Sequence, residues 1–221
     1  LKEIMPPFLP PTITHSLPGW RLFWADLELL PGSRRELALL RTDVASRARS
    51  SYRIETLSQH PTVAAIRKLF RHAGCDPTRY RPSNEALLRR LLKGEELPEI
   101  SPLVDLNNCL SAELAVPVCV MDVRALEGPF VFRSGRAGES YASLRGPFNL
   151  EGKPLLLDAQ GPADTPITGG VRVKAREDTT RVWLVAYMPA ETTTGECGRN
   201  VLGSLLGDAE VARVHGTFVS S

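Results

Sequence analysis

Asp105, Asn108 and Ser111 follow one another at three-residue intervals through an otherwise apolar stretch, Leu103 to Ala115. Side chains three apart on a helix are neighbours, so the spacing predicts a polar stripe on an apolar helix. Such a stripe either lines a polar pocket or forms a buried structural network, and both readings stay open. A second group, Gly169-Gly170 with Gly161, offers either a backbone nest for an anion or a plain hairpin turn.

Familiar catalytic patterns are absent. The four histidines, His15, His60, His72 and His215, have no metal-ligand spacing, and no HExxH, GxSxG or EF-hand loop occurs. Cys75, Cys109, Cys119 and Cys197 lie far apart with no CxxC pair. They read as reduced thiols rather than a disulfide framework or a zinc site. The segment Gly146 to Lys153 has one residue too many between its glycines for a phosphate loop, and Pro154 replaces the required hydroxyl. Neither a metal nor a cofactor is therefore expected. Hydrolysis of an already activated ester fits this absence, because positioning a water beside the carbonyl supplies much of the rate.

Several elements must carry these residues. Arg21–Leu30 is an apolar run stopped by Pro31-Gly32 and predicts a strand. A long helix is expected next, with Ser33 and Glu36 as a capping box and Leu37, Leu40, Val44 and Ala48 at helical spacing. A second helix spans Thr62–Ala73 and ends at Gly74. A third follows Ser83 and ends at Gly94, and the polar-striped helix covers Leu103–Ala115. Strands are expected at Pro117–Met121, Phe130–Arg133, Leu155–Asp158, Val171–Ala175 and Val182–Met188, the last inside a sheet. Glu191–Val214 returns to helix. Helices early and strands late imply an α+β fold.

The chain has 221 residues, 43% hydrophobic and 24% charged, as expected of a folded globular protein. Its longest charge-free stretch, Ile4 to Trp20, is too rich in proline to span a membrane as a helix. A soluble, cytoplasmic protein is expected. The net charge of +2 hides an asymmetry. Residues 34–93 carry 14 basic and five acidic side chains, a net of +9, whereas residues 95–158 carry five basic and ten acidic ones, a net of −5. The basic segment either faces phosphates or presents solvated helix faces.

The order Tyr80-Arg81-Pro82-Ser83-Asn84-Glu85-Ala86-Leu87-Leu88-Arg89-Arg90, followed by Leu97 to Ser111 (LPEISPLVDLNNCLS), resembles a known family. It is the one sharing the tRNA-binding and editing domain of the phenylalanyl-tRNA synthetase β subunit. Pro117, Asp122, Gly138-Glu139, Asp158 in LLLDAQGP, and ITGGVRVKAREDTTRVWLVAY extend the match. It covers about residues 75–190 and is looser over 34–74. The resemblance implies an α+β fold, with helices packed on layered sheets around a central pocket. Residues 1–19, rich in proline, read as an N-terminal extension, and the resemblance implies one editing-like domain over 20–221. In the synthetase that pocket hydrolyses tyrosine wrongly attached to the phenylalanine tRNA. This chain is far shorter than a synthetase subunit and has no adenylate-forming domain, so a freestanding deacylase of misacylated tRNA is expected. A non-catalytic tRNA-binding or partner-binding module of the same fold is the alternative. The expected partner is the aminoacylated 3′ end of a tRNA.

Carried over residue by residue, the resemblance marks Arg81, Ser83, Glu85, Asp105, Asn108, Ser111, Asp122, Glu139 and Asp158. Asp105, Glu139 and Asp158 become the catalytic candidates, with Glu139 and Asp158 contacting an amino group or orienting water. Arg172 is assigned to the 3′-terminal phosphates, and Thr168, Gly169 and Gly170 to the ester carbonyl. Each has an ordinary counterpart: Ser83 as a helix N-cap, and Arg81 with Glu85 as a surface pair worth about 0.5 kcal/mol.

Overall fold

The computed structural model describes residues 9–31 and 34–221. The capping box read at Ser33 lies outside them. In chain order the elements are β1 (Ile13–His15), β2 (Trp20–Leu29), α1 (Arg34–Ser51), α2 (Pro61–Ala73), α3 (Ser83–Leu92), α4 (Pro102–Leu114), β3 (Val118–Asp122) and β4 (Phe130–Ser134). There follow β5 (Ser140–Ser143), β6 (Gly146–Asn149), β7 (Pro154–Asp158), β8 (Gly161–Asp164), β9 (Arg181–Pro189), α5 (Gly195–Asp208) and β10 (Ala212–Ser220). The fold is α+β, as the element pattern implies.

Two four-stranded sheets form the frame, in the orders β10-β2-β9-β3 and β1-β4-β7-β8, with β5 and β6 paired as a separate hairpin. The first sheet is antiparallel throughout, and β9 pairs along its length with β2 and over Val182 to Ala186 with β3. The sheets meet through aromatic edges: Trp24 lies 5.4 Å from Phe130, Trp20 5.7 Å from Phe132, and Phe132 5.7 Å from Tyr187, between ring centroids. Helices cover the other face. Gly198 of α5 sits so close to Phe23 that a Cβ there would come within 3.0 Å of the ring. Covered on both faces, β2 and β9 need apolar residues at nearly every position, which explains their unbroken hydrophobic runs.

Three expectations are corrected. Val171–Ala175 is not a strand: its residues turn, and only an isolated bridge joins Lys174 to Met121. Arg172 is drawn sideways there, donating to Ala125 O and to the Asp158 carboxylate. The helix expected through Val214 ends at Asp208. Ala209 is extended, and the chain becomes β10, whose backbone groups find their partners on β2. Finally, Ile13–His15, inside the proline-rich stretch read as an extension, pairs in parallel with Phe130–Phe132.

The charge asymmetry closes in part within the molecule. Arg41 pairs with Glu99 and Asp105, Arg47 with Glu113, Arg49 with Glu96, and Arg90 with Glu95. Four arginines of the basic segment thus hold five acids of the acidic one, and they are engaged with protein rather than waiting for phosphates.

Candidate functional site

A cavity of about 510 Å³ opens between α3, α4, β3 and the turn that follows β8. Its size suits a small-molecule or aminoacyl-sized occupant. Six of the residues singled out in the sequence line it: Ser83, Asn108, Ser111, Thr168, Gly169 and Gly170. Ser83 is the first residue of α3 rather than its cap. Pro82 precedes the helix there, and the Ser83 amide donates to Pro166 O at 3.0 Å. Ser111 donates its hydroxyl to Val116 O at 2.7 Å, so it shapes the wall.

The turn carrying Thr168, Gly169 and Gly170 closes as a braced hairpin, with Asp164 bridged to Gly169. Thr165 Oγ1 accepts from the Thr168 amide at 3.2 Å and donates to Thr168 O at 3.0 Å. Tyr141 donates its hydroxyl to the same carbonyl. A Cβ on Gly170 would fall 2.3 Å from Ala163 O and 2.9 Å from the Tyr141 ring, so the close approach itself requires glycine. Gly161 lies apart, at the first position of β8 with φ +115°.

The other seven residues are outside the cavity. Asp105, buried, pairs with Arg41 at 2.6 Å and accepts from the amides of Ile100 and Ser101; it faces a second cavity of about 450 Å³. Three residues advance a helix by about 300°, so each step drifts about 60°. Asp105 and Ser111 thus stand about 120° apart with Asn108 between them, and Asp105 falls off the cavity side. Glu85 is buried and bound by Arg67 at 2.8 Å and Arg89 at 3.0 Å, with the half-exposed Arg81 at 3.7 Å. It is not part of a surface pair. Asp122 accepts from Arg124 at 2.7 Å and from the Thr179 hydroxyl at 2.7 Å. The Arg124 side chain, followed by that of Thr179, holds its carboxyl down at about 2 despite burial. Glu139 forms a two-pronged pair with Arg133 and accepts from the Arg136 amide, and the Arg133 guanidinium lowers its carboxyl to about 2. Asp158 pairs with Arg172 at 2.7 Å and accepts from the Glu127 and Gln160 amides. All three catalytic candidates are thus fastened in local ion pairs.

Two residues that were not among the candidate site residues belong to the cavity. Asn107 and Asp164 both line it and both are buried. Asp164 Oδ2 accepts from the Tyr187 hydroxyl at 2.6 Å, whereas its Oδ1 accepts no hydrogen bond. Asn107 donates from Nδ2 to Asn108 Oδ1 at 3.2 Å, whereas its own Oδ1 also lacks a partner. Burial pushes the Asp164 carboxyl up to about 6, with Cys119, Tyr187 and the Thr165 amide pulling the other way. Asn107, beside Asn108 in an apolar helix, and the stretch ADTPI both depart from the pattern of the resembled family, which was the signal available in the sequence.

The lining residues at the mouth differ from those deeper in. Arg90, Arg145 and Lys174 are exposed there, beside exposed Ile100 and Leu144. Arg90 is paired with Glu95; among the described residues Arg145 and Lys174 have no ion pair. Cations at the mouth and buried acceptors within suit an occupant that is anionic at one end and donates hydrogen bonds at the other.

A layered α+β domain around such a pocket is the class that fold and site define. Residues 65–201 match the B3/4 domain family, and the chain belongs to that family. It is similar to the phenylalanine–tRNA ligase beta subunit of Paramagnetospirillum magneticum, 35% identical over 116 residues, covering 51% of this chain and 14% of that protein. The corresponding subunit of Bartonella henselae is 32% identical over 125 residues, covering 55% of this chain and 15% of that one. The chain therefore spans only about one seventh of the length of these relatives. Among solved structures, an N-terminal fragment of the Pyrococcus horikoshii phenylalanyl-tRNA synthetase beta subunit aligns with 98% of this chain and 57% of its own, at 13% identity and a TM-score of 0.48. Among the described residues, no helix is long and apolar enough to cross a membrane.

Proposed function

We propose that this B3/4 domain hydrolyses misacylated aminoacyl-tRNA in trans, taking the aminoacyl end into the 510 Å³ cavity. The observation that carries the reading is the polarity of that cavity. Arg145 and Lys174 at its mouth suit the phosphates next to a terminal ribose, while buried amide and carboxyl acceptors suit the amino acid. The ester is already activated, so the protein needs chiefly to hold its carbonyl and a water in reach of each other. The hydroxyls of Ser83 and Thr168 and the backbone of the braced 165–170 turn are the groups placed to do so. Asn108 stands on the same wall. The roles given to Asp105, Glu139 and Asp158 pass to positioning: their ion pairs fix the elements around the cavity and do not reach into it.

The test is release of labelled amino acid from a panel of correctly and wrongly charged tRNAs by the purified chain. Selective release, reduced at least tenfold by Asn108→Ala, is expected. Failure to release any amino acid would overturn the reading. The engagement of all three candidate carboxylates in ion pairs favours a second reading, a tRNA-binding module without hydrolysis. Salt-dependent tRNA binding with every ester intact would establish it.

A further inference from the structure

Buried oxygens without partners are uncommon, and each calls for a cause. Two of the three such side-chain oxygens among the described residues, Asp164 Oδ1 and Asn107 Oδ1, belong to residues that line the same cavity. They come from different elements, Asn107 from α4 and Asp164 from the end of β8. Both residues are held: Asn107 by its bond to Asn108, and Asp164 by Tyr187. Gly169 lies directly beside the carboxyl, since a Cβ placed there would stand 3.6 Å from Oδ1. An acceptor pair of this kind, one oxygen carrying charge, asks for a donor with several N–H groups and a positive charge. A hydroxyl has a single hydrogen and no charge, and Tyr187 already supplies that kind of donor.

We propose that the cavity binds an ammonium group between Asp164 Oδ1 and Asn107 Oδ1, so that it selects ligands bearing a cationic amine on an otherwise apolar body. This rests on, and deepens, the reading of the cavity as an amino-acid site. The apolar part of the ligand is met by Leu87, Val104, Val118 and Ile167. The ammonium has two sources, the α-amino group of an aminoacyl ester or an amine at the end of its side chain. Charge assists the contact: a hydrogen bond to a charged group contributes about 1.5–3 kcal/mol. Removing the amine should therefore weaken binding by roughly 10- to 100-fold.

The experiment is isothermal titration of the full chain with two matched pairs of amides, none of which can be hydrolysed as an ester. L-phenylalaninamide is compared with 3-phenylpropanamide, which lacks only the α-ammonium. Nα-acetyl-lysinamide is compared with Nα-acetyl-norleucinamide, which lacks only the side-chain ammonium. A preference of tenfold or more within one pair is expected, and the pair that shows it names the source. Asp164→Asn should cut that preference below about threefold, with the folded state confirmed by its melting transition. Asn107→Ala, which leaves the Asp164–Tyr187 contact intact, should cut it in part, so that a poorly folding Asp164 variant does not decide the matter. Equal affinity within both pairs, no binding of either ammonium compound at millimolar concentration, or an undiminished preference in a folded Asp164→Asn protein would each overturn the proposal. Protein that releases amino acids from tRNA yet ignores the ammonium refutes this inference and leaves the deacylase reading intact. Ammonium-selective binding without any release does the reverse.

Discussion

Glu85→Ala should cost this protein much of its stability. The Glu85 side chain is 1% exposed, and Arg67 and Arg89, only 15% and 27% exposed, converge on it from α2 and from the next turn of α3. Removing one member of a buried pair leaves an uncompensated charge, at a cost of about 3–5 kcal/mol. Here two largely buried guanidinium groups are left facing one another. Arg81, 46% exposed, adds little because water screens it. Arg67 also donates to Thr78 Oγ1 at 3.2 Å, so the same pair ties down the loop between the helices. A loss in the middle of that range corresponds to a fall in Tm of roughly 10 °C for a domain of this size. The assay is urea denaturation followed by circular dichroism: the midpoint should fall with the slope unchanged. Glu85→Gln, which keeps shape and one acceptor, should lose less than Glu85→Ala. A loss below about 1 kcal/mol in the alanine variant would refute the reasoning. If ligand binding vanished at the same time, Glu85 would return to the binding machinery.

Asp122 and Glu139 have carboxyls lowered to about 2 in the folded state, so their contribution is present above their unfolded values near 4 and is lost as pH falls towards 2. An Asp122→Asn, Glu139→Gln double variant should be less stable at pH 7 by roughly 2–4 kcal/mol and should lose less on acidification, as read by melting transitions from pH 7 to 2. Asp164 runs the opposite way. Its carboxyl is raised to about 6, so stability is greatest below pH 4 in this respect and declines as pH rises through 6. Asp164→Asn should flatten that decline by roughly 1–3 kcal/mol in the same measurement. Gly135→Ala should destabilise by about 3 kcal/mol or more, because the new Cβ would lie 1.8 Å from Leu150 O, while Gly138→Ala, in open space at φ +80°, should lose only about 1 kcal/mol. Arg145→Ala and Lys174→Ala should each reduce the slope of log affinity for tRNA against log salt by about 0.7, the value for one contact to single-stranded phosphate; an unchanged slope removes that residue from the interface.

The helices were legible because their signals are local. Gly74, at φ +96°, ends α2 where the sequence places the stop, and the apolar periodicity of α1 marks the face that turns inward. Strands β2 and β9 were legible for a different reason: buried on both sides, they admit few polar residues. The short strands β5, β6 and β8 were not, since each is four residues long and shaped by glycine and proline turns. Strand β10 was missed because a partner more than 180 residues away, β2, decides its conformation. The site divides along the same line. Ser83, Asn108, Ser111 and the Gly169-Gly170 turn could be located from motif and spacing. Whether an acid faces a cavity or an arginine depends on what packs against it: Glu139 meets Arg133 across a turn, whereas Asp164 meets Tyr187 from another sheet.

The Arg41–Asp105 pair has a kinetic side. One Asp105 oxygen holds the amides of Ile100 and Ser101 at 2.8 and 3.3 Å while the other is gripped by Arg41, which also reaches Glu99. Ile100 and Pro98 line the mouth of the 510 Å³ cavity, so one lip of that mouth is bolted from behind by a carboxylate that never enters it. Admission of a bulky ligand and its escape then become local-opening events, timed by how often this bolt slips. Loosening it through Arg41→Met would alter residence time and exchange at the Ile100 amide while leaving every residue inside the cavity as it was.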